Sequence, residues 1–335
     1  METKEKILIT LATGTTGYEI TKELLKEGYP VRIYVRSGNK RANALENLGA
    51  EISLGEFNNY LQLKDALTGI KTVYYCYPIM KGMPAAVEIF IEAAKATGVE
   101  AVVFMGQWLA EFDNQESLLT NDIKKAYQTL ERSGLNVVYY APVFFADNLI
   151  AFTESIVQLG QMPSPFGDGK CPWISTGDLA RTAVALLKNP FPYIGKKVHP
   201  TGPESIDAKQ MANVYSKVTG RKVKLMPVSD NMFMKAMMAA SDEFGYNAFM
   251  AVQTTFYIQE LRKNRFAESA PTDVVKKLTG TEAEDFESIA RGFINHSPYN
   301  KSSFSGKVHA IKNLMKIIFA KVPDKSEQEA LNSNQ

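Results

Sequence analysis

The stretch Ile7-Leu8-Ile9-Thr10-Leu11-Ala12-Thr13-Gly14-Thr15-Thr16-Gly17 joins an apolar, β-branched run to an amphipathic segment through two glycines three positions apart. At a strand-to-helix junction, such glycines let the backbone approach a pyrophosphate. The N–H groups and dipole at the helix start then favour the phosphate charge. Two glycines alone are a weak signal, and a plain tight turn would use them too; their place at the first junction of the chain gives them weight.

Working outward to residue 142, short β-branched and aromatic runs alternate with longer amphipathic ones, the pattern of βαβ units. Strands are predicted at Ile7–Leu11, Val31–Val35, Glu51–Leu54, Thr72–Cys76, Ala101–Met105 and Asn136–Tyr140. Helices are predicted at Tyr18–Glu27, Lys40–Leu48, Tyr60–Leu67, Ala85–Thr97 and Leu118–Ser133, each ending at a glycine: Gly28, Gly49, Gly69, Gly98 and Gly134. The expected architecture is α/β: a doubly wound parallel (Rossmann) sheet over residues 1–150, then a smaller α/β substrate lobe over 151–300 with some return to the main sheet. Residues 301–335 read as a basic amphipathic helix and a polar tail.

The end of the second strand selects the dinucleotide. A reader of NAD places an acidic residue on the ribose 2′-hydroxyl, whereas a reader of NADP offers arginine to the 2′-phosphate. No acid occurs between Glu27 and Glu46, and the strand runs into Arg36 and Ser37 with Lys40 and Arg41 close behind. NADP(H) is the expected cofactor.

Composition excludes other classes. With 38 Lys+Arg against 36 Asp+Glu, a net charge of +2 over 335 residues, no footprint for nucleic acid exists. Cys76 and Cys171 cannot build a disulfide framework, which points to a reducing compartment, the cytoplasm. His199, His296 and His309 lack ligand spacing, so no metal is expected. The first apolar run is too short and too acid-flanked for a signal peptide, and none elsewhere reaches bilayer length.

Past residue 142 the chain is rich in Pro and Gly loops. Met226, Met232, Phe233, Met234, Met237, Met238, Phe244, Phe249 and Met250 concentrate in one stretch. They read either as a loosely specified core or as an adaptable wall over an apolar ligand. In Ser303–Val322, Val308, Ile311, Met315, Ile318 and Val322 share a helical face, with Lys307, Lys312, Lys316 and Lys321 mostly elsewhere. Such a helix docks on its own domain or a sister subunit, an oligomer being open, or lies on an anionic membrane. Beyond Pro323 the polar tail is expected to be disordered.

Four stretches make the chain resemble the NmrA-like family of atypical short-chain dehydrogenase/reductases. They are Thr10–Gly17 with Arg36; Glu92–Val99; Leu130–Leu135 followed by Ala141–Phe145 and Asn148; and a set from Gly167–Lys170 and Ser175–Ala180 through Gly202–Glu204 and Thr219–Lys222 to Thr272–Val275. The resemblance implies an NADPH-dependent reductase of quinones, dyes or imines, or an NADP-sensing regulator. The chain departs from the family at Leu11, where the loop usually begins with glycine, at Ala141-Pro142 for Arg-Pro, at Gln128 for a frequent lysine, and at Gly106 for a frequent Ser or Thr.

A Tyr whose proton is managed by a Lys four residues on is the usual acid of short-chain reductases. That spacing occurs at Tyr60/Lys64, Tyr77/Lys81 and Tyr193/Lys197, none in the helix after the fifth strand. Tyr77 and Tyr127 are the catalytic candidates. An activated acceptor would need only positioning of the cofactor. Cofactor contacts are expected from Thr13, Gly14, Thr15, Thr16, Gly17, Arg36, Ser37, Lys40, Tyr77, Pro78, Met105, Gly106, Pro142 and Phe144. Gln107, Trp108, Phe145, Asn148 and Trp173 are expected to wall a pocket for a small apolar or aromatic substrate. A reductase, a non-catalytic regulator and, less favoured without the dyad, a sugar-nucleotide epimerase remain open.

Overall fold

The structure, a computed structural model, describes residues 4–113 and 116–333, the side chains of Glu243 and Phe244 excepted. The chain first alternates strand and helix: β1 (Ile7–Thr10), α1 (Thr15–Lys26), β2 (Val31–Val35), α2 (Lys40–Asn47), β3 (Glu51–Leu54), α3 (Tyr60–Leu67), β4 (Thr72–Tyr75), α4 (Met83–Thr97), β5 (Ala101–Met105), α5 (Leu118–Ser133) and β6 (Val137–Tyr140). It continues with α6 (Thr153–Leu159), β7 (Gln161–Ser164), α7 (Thr176–Lys188), β8 (Lys197–Val198), α8 (Ala208–Thr219), β9 (Lys224–Pro227), α9 (Asp230–Ala239), α10 (Ser241–Phe244) and α11 (Ala248–Arg262). The last helices are α12 (Val274–Thr279), α13 (Phe286–His296), α14 (Phe304–Phe319) and α15 (Lys325–Leu331).

Seven strands form one parallel sheet in the order β3-β2-β1-β4-β5-β6-β8, and β7 and β9 form a separate parallel pair. The expected α/β doubly wound sheet is therefore present, with β8 as a seventh strand whose position the sequence did not disclose. Two residues, Lys197 and Val198, carry no period of their own. β1, β4, β5 and β6 are buried along their whole length, as strands covered on both faces must be. One core contains Ile9, Ile20, Leu24 and Tyr140 and lies under α1 and α7; the other contains Leu63, Val87, Phe90 and Ile123 and lies under α3, α4 and α5. The order reverses between β1 and β4, which opens a crevice at their carboxyl ends.

All five predicted helix-ending glycines adopt positive φ, from 72° to 106°. The first helix starts three residues earlier than its apolar pattern, because Gly14 serves as its N-cap and Thr15-Thr16-Gly17 form its first turn. The tail corrects the expectation of disorder: α15 is closed by a capping box between Asp324 and Glu327. Its Leu331 joins Val322 against a small core of Met234, Met237, Ala251 and Val252. The methionine-rich stretch is thus at least a core in its own right, and Phe244 lies outside the described side chains.

Candidate functional site

The turn after β1 is built around one carbonyl. Gly14 donates its N–H to the Leu11 oxygen at 2.9 Å, and a methyl group on Gly17 would stand 2.5 Å from that oxygen. Gly17 is required because the chain folds over itself there, whereas Gly14, at φ -74°, is less constrained. Leu11, at the family's usual first glycine, holds φ +50°, a conformation that costs a branched residue about 1–2 kcal/mol. The turn keeps its shape with leucine by accepting that strain. The Leu11 side chain is partly buried against the core and lies alongside Gly14.

Gly14 offers no side chain to cap α1, and no acid stands in the first turn. The leading amides of Thr15, Thr16 and Gly17 have no intrahelical acceptor and form a ready anion site. Arg36, Ser37, Lys40 and Arg41 are exposed on the adjoining strand end and helix start. Arg41 reaches furthest in: its Nη2 donates to the Gly14 carbonyl at 3.2 Å and its guanidinium lies 4.3 Å above the Tyr18 ring. Thr13 and Thr15 line the open side, whereas Thr16 is buried within 3.5 Å of the Tyr74 hydroxyl. These residues fit a dinucleotide bearing an additional phosphate: bare helix amides for the pyrophosphate and unopposed cations beside them.

At the crevice floor, the Thr10 hydroxyl ties β1 to β4, donating to the Cys76 carbonyl at 2.9 Å and accepting from the Cys76 amide at 2.8 Å. Burial pushes the Cys76 thiol up to about 12. Tyr77 and Pro78 follow, both half-buried. The Tyr77 hydroxyl donates to the Lys81 carbonyl at 3.1 Å, while the Lys81 ammonium reaches the carbonyls of Ala330 and Ser333 at 2.9 and 2.7 Å. The sequence spacing therefore does not make an acid–base pair. Burial raises the Tyr77 phenol, and the carboxylates of Asp122 and Glu56 add to the rise.

Met105 ends β5, and Gly106 and Gln107 follow it. Tyr127 projects from α5 so that its hydroxyl lies against Gly106, where any side chain would collide with it. The Tyr127 hydroxyl has no side-chain partner, and burial drives its phenol far above the ordinary range. Lys197 stands 5.7 Å over the Tyr127 ring, paired with Glu111 rather than with the phenol oxygen. Gln107 is buried, yet neither its amide oxygen nor its nitrogen has a hydrogen-bond partner among the described residues. An orphaned amide of this kind costs about 1–3 kcal/mol and calls for a partner.

The wall beyond is aromatic. Phe144, two residues after buried Pro142, stacks on Trp173 at 5.2 Å and on Phe266 at 5.7 Å, with Tyr257 of α11 at 5.8 Å. The Trp173 indole N–H is buried without a partner. Trp108 turns its indole to the Arg265 carbonyl at 2.8 Å and its ring to His199 at 4.9 Å, where a separate cavity of about 280 Å³ opens. Phe145 bridges to Ile174, and exposed Asn148 folds back on the Phe145 carbonyl at 3.1 Å. The structure thus gathers Phe144 and Trp173 into one aromatic layer and leaves Trp108 and Asn148 on contacts of their own.

Sequence reasoning missed three participants. Tyr257 and Phe266 complete the aromatic wall from the second lobe. Gln253, wholly buried on α11, accepts from the Ser117 hydroxyl at 2.8 Å and the Leu119 amide at 3.1 Å, pinning α11 to the start of α5. A glutamine amid apolar neighbours gives no periodic signal. The capping box at Asp324 to Glu327 did carry a readable one.

Comparison with known proteins fits this geometry. The chain is 26% identical over 302 residues to an NAD(P)H azoreductase of Xenophilus azovorans, covering 85% of this chain and 96% of that protein. The NADPH-dependent quinone oxidoreductase of Escherichia coli in complex with NADPH shares the fold at a TM-score of 0.72 and 20% identity, over 87% of this chain and 100% of that one. NmrA, a negative transcriptional regulator, does so at 0.69 and 17%, over 86% and 95%. The NmrA-like family matches residues 3–288, and the chain belongs to it.

Proposed function

We propose that this protein is an NADPH-dependent reductase of a small apolar or aromatic acceptor, of quinone, iminium or conjugated-carbonyl type, working by direct hydride transfer without a Tyr–Lys dyad. The bare start of α1 would hold the pyrophosphate, and Arg36, Lys40 and Arg41 the 2′-phosphate. The bound cofactor supplies the hydride. This chain supplies position: Gln107 offers a carboxamide to a polar edge, and Phe144, Trp173 and Tyr257 exclude water from an apolar partner.

The observation that carries the reading is the orphaned amide of Gln107 at the carboxyl end of β5, where a dinucleotide in this fold places its reactive ring. Neither tyrosine is poised to relay a proton: Tyr127 is buried against backbone, and Tyr77 bonds a carbonyl. The acceptor must therefore be one that needs no strong acid. Kinship with the azoreductase supports such an acceptor.

The missing dyad and the close-packed aromatic wall favour a second reading, a protein that binds NADP(H) without turning it over. NADPH absorbance followed with quinones, azo and triphenylmethane dyes and cyclic imines separates the two. Turnover of any of them supports the reductase; tight NADPH binding with none, and recovery of a protein partner, overturns it.

A further inference from the structure

Helix α14 is attached to the molecule by a mixed side, through hydrogen bonds together with buried Gly306 and Ala310 and half-buried Leu314 and Ile317. Gln158 on α6 accepts from the Ser303 amide at 3.0 Å and donates to the Tyr299 and Lys301 carbonyls at 3.0 and 2.9 Å. Glu154 bonds His309 at 2.5 Å and Asn313 at 2.8 Å, and Lys235 of α9 reaches the Ile318 carbonyl at 2.7 Å. Gly306 and Ala310 are the buried residues of the helix. The opposite side carries Phe304, Val308, Ile311, Met315, Ile318 and Phe319, all exposed, with Phe304 at 85% and Phe319 at 74%. At ~100° per residue these six fall within an arc of about 100°, bordered by Lys307 on one flank and Lys312 and Lys316 on the other. A surface helix ordinarily leaves no such apolar stripe facing out.

Charge selects the occupant of this stripe. From residue 288 to 323 the chain has no Asp or Glu, while Lys301, Lys307, Lys312, Lys316 and Lys321 surround the stripe. None of these lysines has an ion-pair partner among the described residues. A second copy docking through the same stripe about a two-fold axis would set lysine against lysine with no acid to offset them. An anionic bilayer offers apolar depth for the stripe and negative headgroups for its borders. We propose that α14 is an interfacial anchor that lays the protein on an anionic membrane surface. The clamp of Gln158 and Glu154 holds the apolar side outward for that purpose.

Vesicle flotation of the full chain tests this. Vesicles of phosphatidylcholine with phosphatidylserine should carry the protein upward in a salt-sensitive way, and pure phosphatidylcholine should carry little. Each lysine is worth about fivefold near an anionic surface, so Lys307→Glu/Lys312→Glu/Lys316→Glu should lower partitioning by about a hundredfold or more. Ile311→Asn/Met315→Asn should lower it by about tenfold. Both sets lie on exposed positions, and circular dichroism confirms that the variants fold. No recruitment to phosphatidylserine vesicles at low salt overturns the proposal. So does recruitment indifferent to both sets, or a dimer in sedimentation equilibrium that the Ile311→Asn/Met315→Asn variant disperses.

Discussion

At the phosphate turn, single atoms decide what the loop can hold. A Cβ on Gly17 would meet the Leu11 oxygen at 2.5 Å and the Ala12 Cα at 2.9 Å, whereas one on Gly14 would meet that oxygen at a tolerable 3.1 Å. Gly17→Ala should therefore lower the Tm and weaken NADPH binding by at least about tenfold, while Gly14→Ala does less; calorimetric titration with thermal denaturation reads both. The cations beside the turn should act on one cofactor only. Arg36→Ala and Arg41→Ala should each weaken NADPH far more than NADH, and equal losses would contradict their assignment to the 2′-phosphate. Gln107→Leu tests the crevice from the opposite direction. Replacing an unpartnered buried amide by an apolar group of similar shape should leave stability unchanged or raise it by about 1 kcal/mol, yet it should depress turnover. A variant that loses stability and keeps its turnover would show that the amide serves the fold. The turn glycines and Arg36 were legible in the sequence because backbone conformation and formal charge are local properties. The isolation of Gln107 was not, because it depends on what fails to approach the side chain.

The elements differ in how far their own residues dictate them. The helices of the main sheet were readable from apolar period and terminal glycine, since each buries one face against the sheet and stops where φ turns positive. α15 was not read from its polar composition, because its docking rests on distant groups: Asn332 accepts from the Leu118 amide at 2.8 Å and from Gln253 at 3.1 Å, and donates to the Glu116 carbonyl at 2.8 Å. Asn332→Ala should speed hydrogen exchange at the start of α5 as well as within α15, since one side chain serves both. In α5 itself, Asp122 is buried with Lys125 at 3.6 Å as its ion partner. Burial raises its carboxyl above the ordinary value, with Lys125 opposing. A raised carboxyl favours folding with its proton on. That contribution is complete below the unfolded-state value and is lost as pH rises through the folded one. Asp122→Asn should accordingly raise the Tm at neutral pH, by an amount that shrinks as the solution is acidified through the carboxylate range; a constant difference across pH would show that the charge is not the cause.

Across the whole molecule, the crevice is assembled from two halves of the chain. The phosphate turn and the ends of β4 and β5 come from the first half, and the rings of Trp173, Tyr257 and Phe266 that pack with Phe144 come from the second. The first half is legible because its period repeats; the second is not, because its aromatic residues meet only through tertiary packing. A ligand spanning the turn and the wall binds the folded chain alone, so NADPH at about a hundredfold over its Kd should add about 2.7 kcal/mol and raise the Tm by a few degrees. An unchanged Tm would mean that the site is not formed. The contact of Gly106 with the Tyr127 hydroxyl reaches beyond the present chain into how such chains can diverge. A serine or threonine at 106 has no space while tyrosine occupies 127, so the two positions must change in a fixed order, the large residue on α5 yielding first. Gly106→Ser should be harmful alone and much less so on a Tyr127→Ala background, a sign of epistasis between them. Descent within this branch of the family would then pass through a narrow gate, in which the residue at the end of the fifth strand cannot be exchanged until its neighbour on α5 has moved aside.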